Sequence, residues 1–183
     1  TTTESPKEET QTKKTKTRIL KSWDDEDLNL KVKLLRGIYA YGFEQPSIIQ
    51  KRALWPFLSG NDLIAQAQSG TGKTGAFAIG SLETVDETLE KTQCIILAPT
   101  RPLAKQIFTV IKQIGQLLKT QCQLLIGGTK TEIDIEGLLH NIPHIVIGTP
   151  GRIHDMIRRK HLKTKDIKLL VIDEADEMFS SGF

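Results

Sequence analysis

Apolar positions recur at helical spacing from Leu28, through Val32, Leu35, Ile38 and Tyr39, and predict a helix with one buried face. Pro46 then opens a second predicted helix that runs to about Leu58. Beyond it the pattern changes to short apolar runs: DLIAQ at 62–66, CIILAP at 94–99, CQLLIGG at 122–128, HIVIGT at 144–149 and KLLVIDE at 168–174. Most of these are apolar at consecutive positions, as strands covered on both faces must be. Helical patterns lie between them, near 73–83, 101–119, 130–141 and 151–160. Strand and helix alternating in this way predict an α/β fold, a parallel sheet with helices on both faces. Ligands of such folds bind where strands end and helices begin. Glycine, proline and acidic residues of this chain gather at those ends.

Composition places the charge. The net charge is +3, and residues 1–21 hold six basic against three acidic side chains, so the remaining body carries nineteen of each and is neutral. Any nucleic-acid binding must then use placed groups, because no broad positive field exists to attract it. The Thr-, Lys- and Glu-rich residues 1–21 hold too few apolar side chains to order and are expected to form a disordered basic arm. Cys94 and Cys122 lie far apart in apolar runs, with neither metal-site nor disulfide spacing, and read as core residues. His140 and His144 have helical metal-site spacing, but Pro143 interrupts it, so both read as structural or solvated. No apolar run reaches the ~20 residues of a membrane span. No membrane partner is expected.

The densest chemistry sits in AQAQSGTGKTGAFAIG, residues 65–80, where Gly70, Gly72 and Gly75 precede a helical run and follow a predicted strand. Glycine is costly in regular structure, so this spacing marks backbone that passes close to a ligand. Amides around Gly70, Thr71 and Gly72 can converge on phosphate, aided by the positive end of the following helix. Lys73 would reach β and γ phosphates, and the Thr74 hydroxyl would ligate Mg²⁺. Ala67 stands where this phosphate-loop pattern has its first glycine. In VIDEAD, residues 171–176, an apolar strand delivers Asp173 as a second magnesium ligand, partly through water. Glu174 is placed to orient or deprotonate the water that attacks the γ phosphate.

LLRGIYAYGFEQPSIIQ, AQAQSGTGKT, IGGT, GTPGR and DEADEM occur together and in order. With these strings residues 22–183 resemble the DEAD-box RNA helicases, and within them the translation initiation factor 4A group. The resemblance implies a RecA-like P-loop NTPase domain, with ATP and Mg²⁺ as cofactors. It implies that Gln50 reads the adenine edge, that Phe43 packs on the base, and that Ser69 joins the phosphate loop; Trp23 is either a support for that pocket or a core residue. It further implies an RNA surface made of Pro99, Thr100 and Arg101, then Gly127 and Gly128, then Thr149, Gly151 and Arg152. These groups would address sugar and phosphate without base preference. Asp176 would couple this domain to a second one.

One position departs from the resemblance: Pro102 stands where the family has glutamate. Proline in the first helical turn is compatible with folding, so the expected effect falls on RNA contacts or coupling. The resemblance also implies a second RecA-like domain with an arginine finger, absent from these residues, and scaffold partners of initiation-factor or exon-junction type. The chain alone is expected to be a monomer, to bind nucleotide weakly and to hydrolyse little ATP. Two functions compete: a cytoplasmic helicase of translation initiation and a nuclear, ATP-gated RNA clamp. The stretch DMIRRKHLKTKDIK leans toward the clamp, and AQAQSGTGKT toward the helicase.

Overall fold

The computed structural model describes residues 18–180. The expected arm falls almost wholly outside them. Seven helices and four strands are present among the described residues: α1 (Val32–Ala40), α2 (Ile48–Leu58), α3 (Lys73–Thr84), β1 (Cys94–Leu97), α4 (Arg101–Ile114), β2 (Cys122–Leu125), α5 (Thr131–His140), β3 (Ile145–Gly148), α6 (Pro150–Arg158), β4 (Leu169–Ile172) and α7 (Ala175–Ser180). The strands pair in parallel in the order β2-β3-β1-β4.

Alternation along each strand sends side chains to two cores. Cys94, Ile96, Ile145 and Ile147 pack with residues of α1, α3 and α4, including Leu34, Ile38, Ile79, Leu82, Ile107 and Ile111. Ile95 and Val146 point the other way, to Leu138 of α5 and Ile153 and Met156 of α6. Helices therefore cover both faces, as the apolar runs predict. Cys94 and Cys122 belong to the first core, and burial pushes both thiols up to about 12, which leaves them inert. His144 is buried too, its Nδ1 accepting from the Gln121 amide at 2.9 Å.

Two parts of the sequence reading need correction. The first helix begins at Val32; Leu28 and Leu30 are buried in the preceding non-helical segment. Residues 62–66, expected to be a strand, pair with nothing among the described residues, and Ile64 is fully exposed. They face the unpaired edge of β4 across a cavity of about 470 Å³ lined by Leu63, Ala65 and 168–173. For the same reason β4 is covered incompletely, with Leu170 57% and Ile172 38% exposed. An apolar run becomes a strand only when a neighbour takes its backbone hydrogen bonds.

Local chemistry sets the helices that frame the site. Ser47 caps α2 in a reciprocal box with Gln50. The Lys31 ammonium closes the C-terminus of α3, donating to the carbonyls of Leu82, Glu83 and Val85 at 2.7–2.9 Å. Gly37 lets α1 lie directly on the end of α4, where a Cβ would overlap the Ile114 carbonyl oxygen. Gly37→Ala is therefore expected to cost about 1–3 kcal/mol of stability, the scale of core overpacking. Denaturant unfolding checks this, and an unchanged midpoint would refute the packing argument.

Candidate functional site

The phosphate loop leads into α3. Gly70 and Gly72 adopt φ of +78° and +101°, conformations that a side chain disfavours, and Gly72 is the N-cap of the helix. No side chain caps that end. The first N–H groups of α3 are thus left to point along its axis toward whatever lies ahead. The Thr71 hydroxyl and amide both donate to the Gln68 carbonyl, at 2.7 and 3.4 Å, and fold residues 68–71 into a turn. Ser69 is exposed on that turn, and Thr74 is half-buried in the first turn of α3.

β4 delivers Asp173 to the same place. Its amide donates to Leu97 of the central strand β1 at 3.0 Å, so the acidic pair starts at a pinned position. Glu174 has φ +47°, a left-handed conformation uncommon for a residue with a side chain. That turn lets the Glu174 amide donate back to Asp173 Oδ1 at 3.1 Å while its own carboxylate reaches toward α3. Lys73 Nζ lies 3.4 Å from Glu174 Oε1, although 101 positions separate the two residues. The loop and the acidic pair, singled out separately in the sequence, therefore meet.

Asp173 is only 8% exposed. Burial and then the charge of Glu174 raise its pKa from its ordinary value, against the Glu174 amide and Lys73. A carboxyl with a raised folded-state pKa contributes stability that is present in acid and lost as pH rises through the folded value. At neutral pH the ionised side chain therefore weakens the fold. Asp173→Asn is expected to raise the thermal midpoint at pH 7, with the gain shrinking as pH falls into the carboxylate range. A lower midpoint at pH 7 would contradict the assignment.

Among the described residues no group of three or more His, Cys, Asp or Glu can hold a metal. Magnesium fits this donor set nonetheless. It takes few protein ligands, keeps water and shares phosphate oxygens, and Asp173 is a buried carboxylate that forms no direct ion pair among the described residues.

The carboxamide of Gln50, expected to read the adenine edge, is buried and engaged at both ends. Its oxygen accepts from the Ser47 amide at 2.7 Å and its nitrogen donates to the Gly72 carbonyl at 3.2 Å. It thus ties α2 to the phosphate loop. Phe43 packs on Gly75 and edge-on to Tyr41 with ring centroids 4.8 Å apart. Trp23 is 1% exposed and stacks at 6.4 Å on Phe43, which makes it a core residue that supports this ring.

The residues expected to form an RNA surface lie at the ends of β1, β2 and β3. Thr100 caps α4, accepting from the Leu103 amide at 3.4 Å, and Pro102 sits in the first turn without disturbing it. Arg101 is exposed and makes no hydrogen bond or ion pair among the described residues. It lies over the turn at Gly127 and Gly128, where a Cβ on Gly128, at φ +87°, would stand 2.7 Å from Arg101 Nη1. Arg152, expected in the same RNA surface, turns its guanidinium to Asp134 and Thr129. Asp176 is exposed in the first turn of α7, a helix the sequence reading did not anticipate.

A parallel sheet covered on both faces, a glycine loop opening α3 and an acidic strand end beside its lysine define a RecA-like P-loop NTPase domain. A family profile described as DEAD/DEAH box helicase matches residues 47–183, and the chain belongs to that family. It is 54% identical over 158 residues to an ATP-dependent RNA helicase eIF4A of Chaetomium globosum, covering 86% of this chain and 40% of the relative. It is 55% identical over 156 residues to an ATP-dependent RNA helicase FAL1 of Mycosarcoma maydis, covering 85% and 39%. The chain thus spans about 40% of the length of these curated relatives. Among solved structures it is similar to a DEAD box protein of Methanococcus jannaschii, with a TM-score of 0.83 and 38% identity over 90% of this chain and 44% of that one. It is also similar to S. cerevisiae Dbp5 bound to RNA and ADP BeF3, with a TM-score of 0.76 and 40% identity over 87% of this chain and 40% of that one.

Proposed function

We propose that this domain serves an ATP-dependent RNA helicase that separates short duplexes, in translation initiation and in the cytoplasm. The observation that carries the reading is the 3.4 Å approach of Lys73 to Glu174 beside the uncapped end of α3. A triphosphate entering there exchanges the lysine's partner: Lys73 turns from Glu174 to phosphate, and Glu174 becomes free to act as a base. A water then bonds through its oxygen to the γ phosphorus, its proton passes to Glu174, and the bond to the β–γ bridging oxygen breaks. Thr74 and Asp173, partly through water, would hold Mg²⁺, which when bound would supply charge neutralisation on the phosphates. Gln50 and Phe43 are the groups for the adenine, and Gln50 reports its occupancy to Gly72.

RNA lies along the ends of β1, β2 and β3, against Pro99, Thr100 and Arg101, Gly127 and Gly128, and Thr149 and Gly151. In the longer protein a second RecA-like domain closes over nucleotide and RNA, supplies an arginine finger and is coupled through Asp176. ATP drives closure through its preference for the closed state. A nuclear RNA clamp of exon-junction type is the second reading, favoured by residues 155–168, DMIRRKHLKTKDIK. ATP turnover by the longer protein tests the proposal. RNA is expected to stimulate it, and turnover indifferent to RNA would refute an RNA helicase while leaving the ATP site intact.

A further inference from the structure

Asp134 has no place in the reading so far, yet it is among the few buried acids of the domain. It sits in the first turn of α5, and its ion pair with Arg152 leaves the two side chains 7% and 10% exposed. Its backbone is held as well, because Gln123 of β2 donates to the Asp134 carbonyl at 2.8 Å. The Arg152 guanidinium is bonded through both terminal nitrogens. Nη1 reaches Asp134 and, at 3.1 Å, the Thr129 hydroxyl, while Nη2 donates to the Thr129 carbonyl at 2.9 Å. Thr129 Oγ1 also lies 3.0 Å from the Ile126 carbonyl, closing the turn that contains Gly127 and Gly128. This is the turn on which Arg101 rests.

We propose that Asp134 is a positioning residue for RNA binding: it fixes Arg152 as a clamp that fastens the 127–129 turn to the start of α6, leaving Arg101 as the guanidinium that meets phosphate. A buried carboxylate and guanidinium are expensive to desolvate, so the pair adds little net stability. What it supplies is geometry. Arg152 offers a rigid planar fork whose two nitrogens hold a carboxylate and a carbonyl in one fixed geometry, which a lysine's freely rotating ammonium does not impose. The inference rests on the RNA reading of this face and assigns its two arginines opposite tasks.

The test uses the longer protein, a fluorescent single-stranded oligouridylate, Mg²⁺ and a non-hydrolysable ATP analogue, with affinity followed by anisotropy across salt. Asp134→Asn is expected to weaken RNA about tenfold, the scale of losing an orienting partner, without changing the salt slope or nucleotide affinity. Arg101→Gln should lower the slope by about 0.7, one phosphate contact to a single strand. If Arg152 were instead a phosphate ligand restrained by Asp134, Asp134→Asn would tighten RNA and steepen the slope; that result, or unchanged affinity, overturns the proposal. Arg152→Lys keeps the charge and carries the same test should Asp134→Asn not fold: weaker RNA at constant slope is expected, and undiminished affinity refutes the clamp. Hydrogen exchange gives an arm independent of RNA, since amides 127–130 should exchange faster in either variant, and unchanged rates contradict the clamp. Wild-type protein that ignores the oligonucleotide would defeat the RNA reading, and the exchange arm would still judge the clamp.

Discussion

Glu174→Gln in the longer protein is expected to lower RNA-stimulated ATP turnover by about 10²- to 10⁴-fold, the range for loss of a general base, while ATP binding survives or tightens. The reason lies in the Lys73–Glu174 pair. The carboxylate lies 3.4 Å from the lysine, so it competes with phosphate for the same ammonium. A neutral amide at 174 releases the lysine to the γ phosphate but has no basicity to take the proton from water. The isostere also keeps the side-chain shape, so the unusual backbone at 174, with φ +47°, is preserved. Turnover within threefold of wild type in a steady-state phosphate-release assay would remove Glu174 from the mechanism.

Lys73→Ala is the second large effect, and its signature is different. Removing the ammonium deletes a charge-assisted contact to phosphate, worth about 1.5–3 kcal/mol, or roughly ten- to a hundredfold in triphosphate affinity. It also leaves Glu174 and the buried Asp173 without their neighbouring cation, so two carboxylates now face incoming phosphate unopposed. ATP affinity should therefore fall more than ADP affinity, because the γ phosphate adds the charge that is repelled. Equilibrium titration with labelled nucleotides reads the difference. Equal losses for ATP and ADP would mean that Lys73 does not reach the γ position.

The features legible in the sequence were those with short-range causes. Residues 70–74 announce a phosphate loop because glycine, lysine and threonine at that spacing serve one purpose at a strand-to-helix junction. Asp173 and Glu174 stand out because acidic side chains seldom end an apolar strand without a use. Neither string alone says that Lys73 and Glu174 touch; that required β4 to pair with β1 and place its end beside α3. The run at 62–66 misled because its apolar residues have strand character, whereas pairing depends on a neighbour that the described residues do not supply. Gln50 could be singled out from its string, but not its bond to Gly72 across 22 positions.

Asp134 illustrates the other kind of miss. In TEIDIEGLLH it looks like one of several solvated acids on a helix. A signal was available: Asp134 and the core residue Leu138 are four positions apart, hence on one helical face. A carboxylate on a buried face must find a cation or a donor. The cation is Arg152, eighteen positions on, in a string whose resemblance to an RNA-contact motif points to RNA rather than to Asp134.

The most direct test is a crystal structure of the longer protein with Mg²⁺ and a non-hydrolysable ATP analogue. The phosphate chain should lie in the amides of 70–74, with Lys73 on the γ phosphate, Asp173 toward the metal and Glu174 facing the in-line water. Nucleotide bound with its γ phosphate outside the space between Lys73 and Glu174 would contradict the account.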